Sequence, residues 1–347
     1  MNKVKVGLIG YGFSGAVFHA PILKALDQFE IKKVVSSKRD KVFEEVGAVE
    51  VTEELEDVLN DREIELIIIT TPNRYHYDMA KRSLLAGKNV ILEKPMVLDS
   101  KQGEELIQLA KEKKLMLSVY QNRRWDNDFL TIKELIKNES LGTMNTFIAH
   151  YDRFNPKPNQ LWRERKEKGA GTLYDLGSHL IDQALHLFGE PQEVFCDLWN
   201  QREASVVDDY FHLILGYQRM RVILHSGSIV KQQGPKYLLH GSKGSFIKYG
   251  EDRQAEDLMD GKSPVGENWG ADKPEWHGTL YVNEGGQPFE KKVKTVPGSY
   301  PSYYEGIYNC LRGQGQNPVP AEEGLATIRI IETAVKSSKQ KGVVRLY

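Results

Sequence analysis

The sequence predicts an α/β protein of two domains: a doubly wound parallel sheet over residues 1–120, then an α+β domain over 121–347 with a mostly antiparallel sheet. Three observations predict it. The chain has 347 residues, more than a single hydrophobic core usually serves. Its first third alternates short β-branched runs with segments of helical spacing, the pattern of βαβ units. From 193 to 249 the texture changes to strands joined by turns, which favours antiparallel pairing.

The elements follow in order. Val4–Ile9 reads as the first strand and residues 31–37 as the second, with a short third at 48–52. Residues 64–71 form a continuous apolar run, as a strand covered on both faces requires. Residues 89–94 and 115–120 supply the fifth and sixth strands. Helical spacing over 77–86 and 101–113 fills the gaps between them, and Gly87 stands where a helix would stop. Beyond residue 120, helices are expected at 129–137 and 172–188 and a strand at 144–151. Residues 252–276 carry Gly, Pro and charges without periodicity and read as a long surface loop. Two helices, 303–312 and 322–338, close the chain.

Composition narrows the class. Hydrophobic residues make up 40% and charged residues 27%, enough to bury a core and present a charged surface. A formal net charge of -1 offers no attraction to nucleic acid or to an anionic membrane. Cys196 and Cys310 stand far apart in no paired motif, so no disulfide framework or cysteine metal site is expected. The apolar run near the start is too short for a signal-peptide core, and no run approaches a membrane span. The expected compartment is the cytoplasm.

Directly after the first strand, Gly10, Gly12 and Gly15 form GxGxxG, with Phe13 and Ser14 between the last two. Glycines there allow a tight turn and close backbone approach to a pyrophosphate, which marks a dinucleotide-binding Rossmann domain. Pro21 stands inside the helix that should follow, and a proline there either kinks it or delays its start. At the end of the second strand, an acid would bind a ribose 2′-hydroxyl and repel a 2′-phosphate. Here Ser36, Ser37, Lys38 and Arg39 hold that place and the first acid is Asp40, so NADP(H) is favoured over NAD.

The fifth strand ends in Glu93-Lys94-Pro95. Strand carboxyl ends face the ligand crevice in such sheets, so Lys94 points toward the nicotinamide end, where an ammonium stabilises a developing alkoxide. Taken alone, a lysine there is also an ordinary surface charge. Asp175 and His179 lie four apart on one helical face. Histidine has the pKa to take a hydroxyl proton, and the aspartate to orient it or bind substrate. By spacing alone, a catalytic pair and a structural histidine both stand. Asp182 and His186 continue the face, but hydride transfer needs no metal and no metal-ligand spacing appears, so no metal is expected.

GYGFSGAVFHAP, TTPNRYH, EKPM and GTLYDLGSHLIDQALHLFG, in this order, resemble the glucose–fructose oxidoreductase / inositol dehydrogenase (Gfo/Idh/MocA) family over nearly the whole chain. SVYQNRRWDNDFLTIK, HGSKGSFIKYG, NWGADKPEW and AEEGLATIRIIETAVKSS resemble most its NADP-dependent branch acting on scyllo-inositol. The resemblance implies a second domain with a large open sheet that builds a homodimer or homotetramer interface. It implies His179 as proton acceptor, with Lys94 and Asp175 binding and polarising the reacting hydroxyl. Thr71, Pro72, Asn73 and His76 match the loop along the cofactor, Glu93 and Lys94 the strand end beside it, and Trp162 and Arg163 the loop over the nicotinamide. Asn122, Arg123, Arg124 and Tyr151 are expected at the substrate. The function implied is hydride transfer between NADP(H) and a small polyol or sugar, scyllo-inositol and its 2-keto form first. The same chemistry on another polyol is the alternative. A dinucleotide-binding sensor without turnover is disfavoured, since a pure binder has no need of Lys94, Asp175 and His179 together.

Overall fold

A computed structural model describes residues 2–159 and 161–346. In chain order its elements begin with β1 (Val4–Ile9), α1 (Ala20–Ala25), β2 (Phe29–Val35), α2 (Arg39–Glu45), β3 (Glu50–Thr52), α3 (Leu55–Leu59), β4 (Leu66–Ile69), α4 (His76–Leu85), β5 (Asn89–Glu93), α5 (Ser100–Lys113) and β6 (Leu117–Tyr120). Then come α6 (Asn127–Lys137), β7 (Met144–His150), α7 (Ser178–Phe188), β8 (Glu193–Trp199), β9 (Tyr210–Gly216), β10 (Arg221–Gly227), β11 (Tyr237–Gly241) and β12 (Gly244–Lys248). The remainder is α8 (Gln254–Met259), β13 (Gly278–Glu284), β14 (Gln287–Val293), α9 (Pro301–Leu311), α10 (Ala321–Gln340) and β15 (Val344–Arg345). The chain divides into two compact units. One holds the stretch up to Trp125 with Arg253–Gly270 and Ser299–Leu325; the other holds Asp126–Asp252, Ala271–Gly298 and the chain from Ala326.

In the first unit, six strands among the described residues form a parallel sheet in the order β3-β2-β1-β4-β5-β6. The four side chains of β4, Leu66 to Ile69, are fully buried. Each contributes about 1.5–3 kcal/mol by leaving water, which is why this strand carries no polar alternation. Order reverses between β1 and β4, the switch point of a doubly wound sheet, where the crevice opens outside the strand ends. Register decides which residues meet there. Ile9 lies opposite Val35 and Ile69, Ile69 beside Leu92, and Leu92 beside Val119. The next residues along each strand, Gly10, Ser36, Thr70, Glu93 and Tyr120, therefore emerge side by side on one rim.

Pro21 is accommodated by a local widening of the helix, which starts at Phe13 and is not delayed. Residues Gly15–His19 form a π-helical turn, the Ala20 N–H reaching back to the Gly15 carbonyl, and α1 continues it from Ala20 with Pro21 in its first turn. Where a π-helical turn has already interrupted the regular helical hydrogen-bond ladder, the N–H that proline lacks costs less. On the far side of the sheet, β6 would be an open edge. Residues 317–320 cover it: Val119 donates to the Val319 carbonyl at 3.1 Å and the Asn317 amide donates to the Leu117 carbonyl at 2.9 Å. Covering an edge removes a template for unwanted pairing.

The stretch 252–276, expected as a long surface loop, contains α8 and a buried polar anchor. Gln254 accepts from Trp269 Nε1 at 2.9 Å and from the Tyr300 N–H at 2.7 Å, and donates to the Trp125 carbonyl at 3.0 Å. Buried polar bonds, those of Gln254 together with those of Asp252 and Asp272, fix this segment rather than an apolar stripe, so hydrophobic periodicity carries no mark of it.

In the second unit, nine strands among the described residues form one sheet, β14-β13-β12-β11-β7-β10-β9-β8-β15. All pairs are antiparallel except β7 with β10. The helix expected at 172–188 is a π-helical turn, Leu173–Gly177, continued by α7, which buries Leu180, Ile181 and Ala184. Lys236, almost without exposure, donates to Asp128 at 2.7 Å and lies 3.6 Å from Asp126. Burial opposes its charge, and Asp128 and Asp126 overcome that and hold the ammonium well above the usual lysine range. Replacing Lys236 with Ala leaves two buried carboxylates without their cation. We expect a loss of about 3–5 kcal/mol, read as a lower unfolding midpoint in urea; an unchanged midpoint would contradict this account of the pair.

Candidate active site

The rim of the first unit is built around the turn after β1. Gly10 has a φ of +94°, which glycine adopts without strain. A Cβ on Gly15 would sit 2.5 Å from the Gly10 carbonyl oxygen and 2.8 Å from Thr70 Oγ1, whereas one on Gly12 would meet nothing within 4 Å. The first and third glycines thus serve the turn itself, and the second borders open space. Thr70, which the motif reading passed over, donates to the Gly10 carbonyl at 2.8 Å and ties the end of β4 to the loop. Its place at the end of a buried strand was the available signal. Phe13 is half exposed and edge-on to Phe18 at 5.4 Å between ring centroids.

Glu93 does not offer its carboxylate to solvent. It accepts from Ser14 Oγ, from His19 Nε2 at 3.0 Å and from the Lys94 N–H at 2.9 Å. Burial would raise its pKa, but His19, Ser14 and the Lys94 charge outweigh that and hold it down at about 2. Because the folded value lies below the ordinary 4.5, this pairing contributes stability above that pH and loses it as pH falls toward 2. The Ser14 hydroxyl proton is consequently committed to Glu93. The peptide bond between Lys94 and Pro95 is cis.

His76 bridges two backbone carbonyls: Nδ1 faces Pro95 O at 3.0 Å and Nε2 faces Thr71 O at 2.9 Å. Burial depresses its pKa, against the pull of those two carbonyls. It thereby fixes the loop after β4, where Thr71, Pro72 and the buried Asn73 lie, to the segment that follows Lys94. At the end of β2, Ser37, Lys38 and Arg39 are exposed, and Ser36 Oγ accepts from the Lys38 N–H at 3.0 Å. Arg39 donates to the Val51 carbonyl at 2.8 Å, so part of its guanidinium is used within the protein. Asn122, Arg123 and Arg124 form a short 3-10 turn after β6, where Arg124 is buried and ion-paired with Glu323.

The second unit gathers the other expected residues. Asp175 lies in the π-helical turn and His179 in the first turn of α7; the former is partly exposed and the latter buried. The turn is aimed by Gly171 and Asp208. Gly171 has a φ of +96°, and a Cβ there would fall 2.1 Å from Asp208 Oδ1. Asp208 accepts from the Leu173 N–H at 2.7 Å. Burial raises the Asp208 carboxyl to about 6 despite the N–H groups of Leu173 and Thr172. Trp162 and Arg163 form a 3-10 turn tied to the same place, the Gly171 N–H donating to the Arg163 carbonyl at 2.9 Å. Arg163 Nε stands 3.5 Å from Asp175 Oδ1, with its guanidinium 5.4 Å from the Trp162 ring centre. Tyr151, buried at the end of β7, lies under the Arg153 guanidinium at 4.3 Å, and Arg153 is ion-paired with Glu251. Among the described residues no group of three His, Cys, Asp or Glu side chains is arranged to hold a metal, and no helix is long and apolar enough to cross a membrane.

A family model described as oxidoreductase family, NAD-binding Rossmann fold, matches residues 4–121, and one described as oxidoreductase family, C-terminal alpha/beta domain, matches residues 133–346. The chain belongs to the Gfo/Idh/MocA family. Members of that family are oxidoreductases, and the NAD-binding Rossmann domain of this chain supports a nicotinamide cofactor. It is 47% identical to the scyllo-inositol 2-dehydrogenase (NADP(+)) IolW of Bacillus subtilis, over 100% of this chain and 97% of that protein. It is 41% identical to the oxidoreductase YdgJ of Escherichia coli, over 99% of both. Among solved structures, the oxidoreductase yvaA of Bacillus subtilis superposes with a TM-score of 0.98 at 47% identity, covering 100% of this chain and 99% of that one.

The rim fits a dinucleotide on its own geometry. Side chains are excluded at Gly10 and Gly15 by strain or collision, and the surface at Gly12 is open to a ligand's backbone-close approach. Gly15→Ala forces the turn to shift, because the new methyl group meets the Gly10 carbonyl. NADPH affinity, read by fluorescence titration, should fall about tenfold or more in a protein with an unchanged circular dichroism spectrum. Unaltered affinity would remove this turn from the cofactor site.

Proposed function

We propose that this protein is an NADP-dependent dehydrogenase of a cyclic polyol, interconverting scyllo-inositol and 2-keto-myo-inositol. The observation that carries the reading is the full-length likeness, at 47% identity, to a Bacillus subtilis enzyme named for that reaction. The cofactor preference is supported by the end of β2, where Ser37, Lys38 and Arg39 are exposed and no acid precedes Asp40. A 2′-phosphate finds hydroxyl and cationic partners there, and no carboxylate stands at the position that would repel it. Cytoplasmic residence and a homodimeric or homotetrameric state belong to the same proposal.

Gly10, Gly12 and Gly15 would hold the pyrophosphate, the β2 end the adenosine ribose, and Thr71, Pro72 and Asn73 the adjoining stretch of the dinucleotide. When bound, the nicotinamide supplies the hydride acceptor or donor. In the oxidation direction, His179 takes the hydroxyl proton on an imidazole nitrogen. Lys94 donates to the same oxygen and stabilises the alkoxide as charge develops. Asp175 binds and orients the hydroxyl, with the Arg163 guanidinium 3.5 Å from its carboxylate. Trp162, Tyr151, Asn122 and Arg123 complete the proposed surroundings of substrate and nicotinamide.

An initial-rate assay with scyllo-inositol, myo-inositol and glucose, each with NADP and with NAD, tests the proposal. Turnover of scyllo-inositol with NADP is the expected result. Turnover of another polyol alone would transfer the chemistry to that substrate, and tight NADPH binding without any turnover would overturn the enzymatic reading of this site. Lys94→Ala and His179→Ala should each lower kcat about 100-fold or more with NADPH affinity retained; activity surviving both changes would contradict the proton path.

Ser37→Asp places a carboxylate at the β2 end. The ratio of kcat/KM for NADP over that for NAD should drop about tenfold or more. A ratio that stays constant would put the phosphate contacts elsewhere.

A further inference from the structure

Among the fully buried polar side chains to which the motif and family readings give no role are His19 and Tyr304. His19 closes the π-helical turn after the glycine loop, while Tyr304 lies in α9, 285 residues along the chain within the same unit. Their polar atoms meet: His19 Nδ1 stands 2.5 Å from Tyr304 Oη, and the other ring nitrogen 3.0 Å from Glu93 Oε1. A carboxylate only accepts, so the His19 Nε2 carries the proton on that side and Nδ1 is left to Tyr304. The Tyr120 ring lies 4.3 Å from the His19 ring, centroid to centroid, with its hydroxyl on the Phe18 carbonyl at 3.2 Å. The imidazole is fixed on every side.

A histidine that merely fills a core would end on core atoms. This one ends, through Glu93, on two groups of the cofactor machinery: the Ser14 hydroxyl inside GxGxxG and the N–H of Lys94. We propose that His19 and Tyr304 are positioning residues for the dinucleotide, holding the glycine loop and the Lys94 backbone to one buried carboxylate. The loop conformation then depends on a hydroxyl delivered by a helix near the C-terminal end. This inference rests on the nicotinamide-binding part of the reading above and not on the identity of the polyol.

The test is NADPH fluorescence titration of the full-length protein and of Tyr304→Phe, Ser14→Ala and the double variant. Tyr304→Phe removes one oxygen and keeps the ring. Each single change should raise Kd about tenfold, and the double variant also about tenfold rather than about 100-fold, because both act through Glu93. Amide exchange at residues 12–15 in the ligand-free protein should accelerate in Tyr304→Phe. Unchanged affinity in folded Tyr304→Phe, or losses that multiply in the double variant, would overturn the proposal. If Tyr304→Phe does not fold, His19→Gln and His19→Leu decide: glutamine retains a donor toward Glu93 and should restore most of the affinity that leucine loses, and equal affinities count against the proposal. Should the unaltered protein bind neither NADPH nor NADH, the cofactor reading falls and this inference with it. Tight binding by the unaltered protein with indifferent variants overturns the inference alone.

Discussion

Glu93 is a carboxylate that the fold removes from water, and such a group must find donors inside the protein or give up its charge. Leaving it uncompensated would cost several kcal/mol. The donors come from Ser14, His19 and the Lys94 N–H, three places that a ligand-binding rim must hold in register. Satisfying one buried charge therefore shapes the loop after β1, the direction of the chain at Lys94 and, through His19, the docking of α9. His76 makes a second such link, with one ring nitrogen facing the Thr71 carbonyl and the other the Pro95 carbonyl. The parallel sheet supplies the platform; these polar links decide what stands on it.

The second unit solves its own positioning problem by different means. Asp208 sits against Gly171, where no side chain fits, and takes the Leu173 N–H at the start of the π-helical turn. A wide turn presents Asp175 outward while α7 carries His179 inward. Arg163 then approaches Asp175 from a neighbouring turn that is itself bonded to Gly171. Both expected machinery segments, Gly15–His19 and Leu173–Gly177, are π-helical, a form that is rare elsewhere and recurs where a helix is locally widened for function.

Much of the fold was legible because burial writes a pattern. Val4–Ile9 was read with the bounds it has, and the run containing Leu66–Ile69 declared a strand covered on both faces. The antiparallel character of 193–249 followed from turn residues between short apolar runs. What hydropathy leaves no trace of is polar long-range bonding. Nothing near Gln254 marks it as an anchor, since its partners Trp269, Trp125 and Tyr300 are remote or apolar in type. The β13–β14 hairpin went unread because β14 is exposed along most of its length and lacks alternation. For the rim, glycines and the EKP run announced themselves by spacing. His19 did not, because a lone histidine after a motif is indistinguishable from a core residue until its ring partners are known.

The cover over β6 has a consequence for how the molecule comes into being. Residues 317–320 complete the sheet's edge, and the Ser118 hydroxyl is closed off by Tyr303 and the Val319 carbonyl. All of those partners are translated some 200 residues after β6. In a chain made only as far as β6, that edge and the Ser118 hydroxyl lack the partners they have in the finished fold. The nucleotide-binding half is thus no detachable cassette. It reaches its finished form only near the end of synthesis, and until then the growing chain must keep that edge from finding another partner.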